Sequence, residues 1–205
     1  YGINASDLSW ASIKGYSNIV LLQVWILLKS VSGLNDYDHM AIDLKIFETH
    51  LRRYAVLYFM LGLIECELRV RSMITLSSLA SEKGYAEWVQ VVPSTKGNIK
   101  SINTAFKKNF LKFEGIEEHM TFSFWRHLFD GKNFTLLWVP ALHTIFPSLE
   151  NPLTKKSFAQ VGNHLSRANR IRNRVAHYEI RVNSDYEGEK EVLMWIIQKM
   201  DGVSN

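Results

Sequence analysis

The stretch MAIDLKIFETHLRRYAVLYFMLGLIECEL, residues 40–68, decides the fold. Within it Met40, Leu44, Phe47, Leu51, Tyr54, Tyr58 and Leu61 recur at alternating spacings of four and three, which places them on one stripe of a long helix. Continued in phase, the stripe reaches Glu65 and then Leu68, so a carboxylate falls where a core residue is expected. A buried carboxylate is costly unless paired, and Arg69, one turn on, is the nearest cation.

Working outward, the same reading predicts an all-α protein. Gly and Pro number only 11 and 4 in 205 residues, which disfavours a turn-rich β architecture. Residues 1–35 are expected to form an N-terminal helical extension, with apolar runs at Ile19–Leu22 and Val24–Leu28 and a turn at Gly33–Asp38. Residues 36–205 are expected to form one helical domain. Its further helices should run from about Asn98 to Phe113, through the aromatic-dense Ile116–Phe129 and across Asn133–Ile145. Another should start from a cap at Thr154 or Ser157. The last piece, Glu189–Met200, has helical spacing, but its β-branched content leaves a strand open.

With 47% hydrophobic and 21% charged residues the chain should fold, and neither disorder nor a fibrous repeat is indicated. The apolar runs fall short of the roughly 20 residues that span a bilayer, so no membrane partner is expected and a cytoplasmic setting is. Cys66 is the single cysteine, and the histidines show no metal-site spacing, so neither a metal nor another cofactor is expected. Gly-rich phosphate loops and nucleophile elbows are missing, which argues against nucleotide hydrolysis and serine-hydrolase chemistry. The net charge of +4 is mild, yet Arg167, Arg170, Arg172, Arg174 and Arg181 crowd one stretch.

That stretch carries the candidate chemistry. In Arg170-Ile171-Arg172-Asn173-Arg174-Val175-Ala176-His177-Tyr178-Glu179, Asn173 and His177 are an i, i+4 pair on one helical face, and the long Arg172 side chain is expected to reach round to them. A guanidinium matches phosphate oxygens, and an imidazole moves protons near neutrality. Together they are a minimal kit for phosphodiester cleavage. The Asn173 amide would either orient the imidazole or hold a phosphate oxygen. A blander reading has Arg172 in a salt bridge and His177 capping its helix.

The Arg172-Asn173-x-x-x-His177 arrangement resembles the Arg-x4–6-His motif of HEPN ribonucleases, and the string from Ile171 to Glu179 is similar to the form found in Abi-like (abortive-infection) proteins. Two further segments resemble that family. Ile64-Glu65-Cys66-Glu67-Leu68-Arg69 looks like its Glu-x-x-x-Arg segment on a long early helix, and Thr121–Phe129 looks like its aromatic Ser-Phe-x-x-Trp-type block. They occur in the family's order, and the resemblance covers roughly residues 40 to 200.

The resemblance implies a HEPN-type bundle with a long early helix and a C-terminal motif-bearing helix. It also implies a homodimer that cuts RNA without metal at a cleft between facing motifs, in bacterial anti-phage defence, as a toxin held in check by an inhibitory RNA or antitoxin. On that reading Arg172, Asn173 and His177 are catalytic, and Glu65 and Arg69 support them, with Glu65 pairing a motif arginine or else Arg69. Arg167, Arg170, Arg174 and Arg181 would contact RNA phosphates. The runner-up is a non-catalytic RNA-binding or scaffold module with the same fold. The aromatic block is expected to be core and not a base-stacking surface.

Overall fold

Opposite the solvent, the early helix presents Tyr54, Leu57, Leu61, Ile64, Leu68 and Leu76, all buried and spaced by helical turns. In a computed structural model describing residues 37–139, 141–177 and 185–202, this helix, α1, spans Tyr37–Glu82. Its 46 residues make a rod about 70 Å long. The side chains of Met40, Leu44, Phe47 and Leu51 lie outside the described residues.

From Tyr54 onward the buried stripe differs from the expected one. Tyr58 is 68% exposed, and its place is taken by Leu57; Ile64 likewise takes the place expected for Glu65. Steps of three and four can follow one another in either order, and here the order that buries leucine and isoleucine prevails over the one that would bury a phenol and a carboxylate. The helix stops in a Schellman turn: Gly84 has φ 74°, Tyr85 N donates to Ala80 O at 2.9 Å and Gly84 N to Ser81 O at 3.0 Å.

After a 3-10 turn at Trp88–Val91 comes α2, Lys96–Lys108, whose N-cap Thr95 accepts from Asn98 N at 3.2 Å. The aromatic segment forms a 3-10 turn, Ile116–His119, and the short α3, Phe122–His127. A π-helical turn, Phe134–Trp138, and α4, Leu142–Ile145, stand where one short helix was expected. Helix α5, Lys155–Ala176, starts at Thr154, whose hydroxyl accepts from Ser157 N at 3.1 Å. The last segment is helical: α6, Tyr186–Met200, capped by Asp185. Among the described residues there are six α-helices and no strand, and the fold is all-α.

Helices α3, α4, α5 and α6 all pack on α1, and α5 packs on α6. Between them sits an aromatic core. Trp125 stacks on Trp88 at 5.5 Å, and Phe129 lies nearly parallel to Trp138 at 4.6 Å. Trp138 Nε1 donates to Leu128 O at 2.6 Å, so the indole is buried with its polar atom satisfied. Each such ring contributes about 1.5–3 kcal/mol by leaving water. Gly162 lets α5 approach this core: a Cβ there would stand 2.8 Å from the backbone oxygen of Phe129. That contact fixes the height at which α5, and with it its C-terminal end, sits on the bundle.

Candidate functional site at the end of helix α5

Helix α5 buries Phe158, Val161, Leu165, Ala168, Ile171 and Val175, so its phase is set by the core. The opposite face carries Arg167, Arg170, Asn173 and His177 into solvent at spacings of three, three and four, a row about 15 Å long. His177 is the C-cap residue; its backbone N–H donates to Asn173 O at 3.1 Å. Capping is thus done by the main chain of His177 and not by its imidazole. The side chains of Arg172, Asn173 and His177 make no hydrogen bond or ion pair among the described residues.

Asn173 and His177, four apart, stand about 40° from one another around the helix axis, whereas Arg172 and His177, five apart, stand about 140° apart. The amide and the imidazole therefore share a face. Arg172 lies on the flank, half-buried, and reaches the imidazole's surroundings only through the length of its own side chain.

Arg174, expected to contact RNA, is only 8% exposed. Its Nη1 donates to Tyr54 Oη at 2.8 Å, its Nη2 pairs with Glu189, and its guanidinium lies over the Tyr54 ring at 5.5 Å. This guanidinium ties α5 to α1 and α6 at once, with both terminal nitrogens engaged inside the bundle. The phosphate-contact role expected for it is corrected accordingly. Arg181 lies outside the described residues. Arg167 and Arg170 are exposed, as phosphate contacts require.

Glu65 pairs with Arg69 at 3.5 Å, and its side chain is 24% exposed. Of the two partners considered for it, the local one holds it, and no motif arginine does. The pair's contribution is at most about 0.5 kcal/mol. Two residues on, Arg71 pairs with Glu67 at 2.8 Å and donates to Met200 O at 2.6 Å, joining α1 to the end of α6.

Two polar clusters escaped the sequence reading. Arg126 Nη1 lies 2.6 Å from His127 Nδ1 and 3.1 Å from Asp130 Oδ1, while Arg126 Nη2 donates to Ser166 Oγ on α5 at 3.4 Å. His164 donates from Nδ1 to Gln160 O at 2.9 Å and stacks on Trp195 at 3.9 Å. The spacing Arg126–Asp130 marks the first in sequence, but the α6 partner of His164 comes only from packing. The block Phe122, Phe124, Trp125 and Phe129 is buried.

Among the described residues no group of three or more His, Cys, Asp or Glu side chains is placed to hold a metal ion, and no helix is long and apolar enough to cross a membrane. No protein-family model, curated protein or solved structure matches the chain.

Proposed function

We propose that the chain is a metal-independent endoribonuclease of the HEPN type, an abortive-infection toxin of bacterial anti-phage defence that works as a homodimer in the cytoplasm. The observation that carries the reading is that Asn173 and His177 share the solvent face at the end of α5, their side chains unengaged among the described residues, at the end of a row of exposed arginines. A buried guanidinium one residue away, at Arg174, secures the helix that presents them.

Cleavage by this site is a transesterification. The imidazole of His177 takes the proton of the RNA 2′-OH, the 2′-oxygen attacks the adjacent phosphorus, and the phosphorane charge is met by Arg172. The bond to the 5′-oxygen then breaks, and that oxygen receives a proton from the second copy's imidazole, leaving a 2′,3′-cyclic phosphate and a 5′-hydroxyl. One chain brings one motif imidazole, and its Arg172 sits on the flank away from it. A second copy supplies both the missing acid and an arginine from the opposite side.

The second copy must then meet this one across the solvent face of α5, where Asn173 and His177 stand, so that both imidazoles reach one phosphate. An inhibitory RNA or antitoxin would hold the toxin silent by covering the α5 row.

The test is incubation of the purified chain with labelled RNA in EDTA. Products ending in 2′,3′-cyclic phosphate that disappear in His177→Ala support the enzyme. Equal retardation of RNA without cutting by both proteins would instead establish a non-catalytic RNA-binding module, a reading favoured by the separation of Arg172 and His177 within one copy.

A further inference from the structure

Helix α2 and the loop after it carry a basic surface separate from the α5 row. Asn98 and Ala105 bury one face of α2, with Ile102 and Phe106 packed against the core. The opposite face carries Lys96, Lys100, Asn103 and Lys107 at spacings of four, three and four, all exposed, in a row about 16 Å long. Lys108 and Lys112 are exposed beside its end. None of these lysines has an ion-pair partner among the described residues; Glu114, Glu117 and Glu118 follow the loop without pairing to them.

At the end of the row the backbone does something costly. Phe110 and Leu111 both adopt left-handed conformations, φ 52° and 62°, where glycine is the residue that escapes a clash with its own Cβ. Leu111 N donates to Phe106 O at 2.9 Å, the six-to-one bond of a Schellman turn whose left-handed position glycine usually fills. The loop is nonetheless fastened. Asn109 Nδ2 donates to Lys112 O at 3.0 Å and Glu114 O at 2.7 Å, and Phe113 packs on Phe106 at 4.7 Å. The result is that Phe110 is 86% and Leu111 63% exposed. A phenyl ring in this position gains almost nothing from its own chain, and strain kept for a solvent-exposed group points to a partner.

We propose that α2 and Phe110 form a docking platform for single-stranded RNA. The lysine row tracks the phosphates, and an unstacked base lies on the free face of Phe110, held rigid so that little order is lost on binding. The interleaving of Phe106, Lys107, Lys108, Phe110, Lys112 and Phe113 is the aromatic-basic alternation that the Thr121–Phe129 block lacks. A lipid surface would call for cations spread round an apolar wedge. Here Lys96, Lys100 and Lys107 lie in a line along one helix, which fits a polymer. The platform recognises backbone and base faces, so it reads no sequence.

This inference shares with the preceding one only the choice of polymer, and the two fail separately because binding is read without cutting. The full-length His177→Ala chain in EDTA is titrated into a fluorescein-labelled single-stranded RNA of about ten nucleotides and followed by anisotropy. Phe110→Gly, which relaxes the backbone while removing the ring, should weaken binding about five- to hundred-fold, and Phe110→Trp should restore it. Replacing Lys100 and Lys107 by glutamine should lower the slope of log affinity against log salt by about 1.4. Duplex RNA of the same sequence should not respond to Phe110→Gly. The proposal is overturned if Phe110→Gly binds like its parent, if the salt slope does not move, or if the loop retains anionic phosphatidylserine vesicles and not RNA.

Discussion

Replacing Arg174 by methionine removes a side chain that joins α5 to both α1 and α6, and the structure sets the size of the effect. The guanidinium is 8% exposed, and its partner Glu189 has a side chain 21% exposed. Breaking a fully buried pair costs about 3–5 kcal/mol, because the remaining charge is left without a counterion. Partial access of water to Glu189 brings the expected loss to about 2–3 kcal/mol. For a chain of this size that is a fall in Tm of roughly 5–10 °C. The double variant Arg174→Met with Glu189→Met should recover at least half of it, since apolar groups of similar volume are tolerated where an ion pair stood. Urea denaturation of the four proteins in the cycle gives the coupling energy, expected at about 1.5 kcal/mol or more. RNA cutting by the double variant should stay within a few-fold of the parent. If Arg174→Met kept its Tm and lost RNA affinity, the guanidinium would be a surface contact and the reasoning would fail.

Gly162→Ala should destabilise the fold by about 1–3 kcal/mol in the same urea assay, because the clash with Phe129 O outweighs the helical preference of alanine; a gain in stability would show that α5 can lift from the core at no cost. Arg167→Glu combined with Arg170→Glu reverses the charge of the exposed row on α5, where neither side chain supports the core. RNA cutting should then fall with circular dichroism unchanged; unchanged cutting would show that the row meets no phosphate.

What the sequence displays is what depends on near neighbours in the chain. The apolar rhythm of α5 through Val161, Leu165, Ala168, Ile171 and Val175 is local, and so is the cap at Thr154; both are where the pattern places them. On α1 the rhythm leaves two orders of steps after Tyr54, and only packing against α5 and α6 selects Leu57 and Ile64 over Tyr58 and Glu65. Arg174 illustrates the limit more sharply. Its neighbours Arg170 and Arg172 suggest a basic patch, but its partners are 15 and 120 residues away, on other helices, and no spacing reveals them. The choice of Arg69 for Glu65 was visible as an i, i+4 pair. Phe110 was hidden for a different reason, since an apolar residue at the end of a helix reads as core until its backbone conformation is known.

Subunit mixing tests most directly whether the site is completed by two copies. His177→Ala chains are unfolded with the parent chain in urea, refolded and assayed on labelled RNA in EDTA. A site that needs the imidazole of both copies predicts that the mixture cuts less than the same amount of parent chain refolded alone, because every heterodimer holds one imidazole and is silent. Cutting equal to that of the parent chain refolded alone would show that each copy carries a complete site, and would contradict the dimer mechanism.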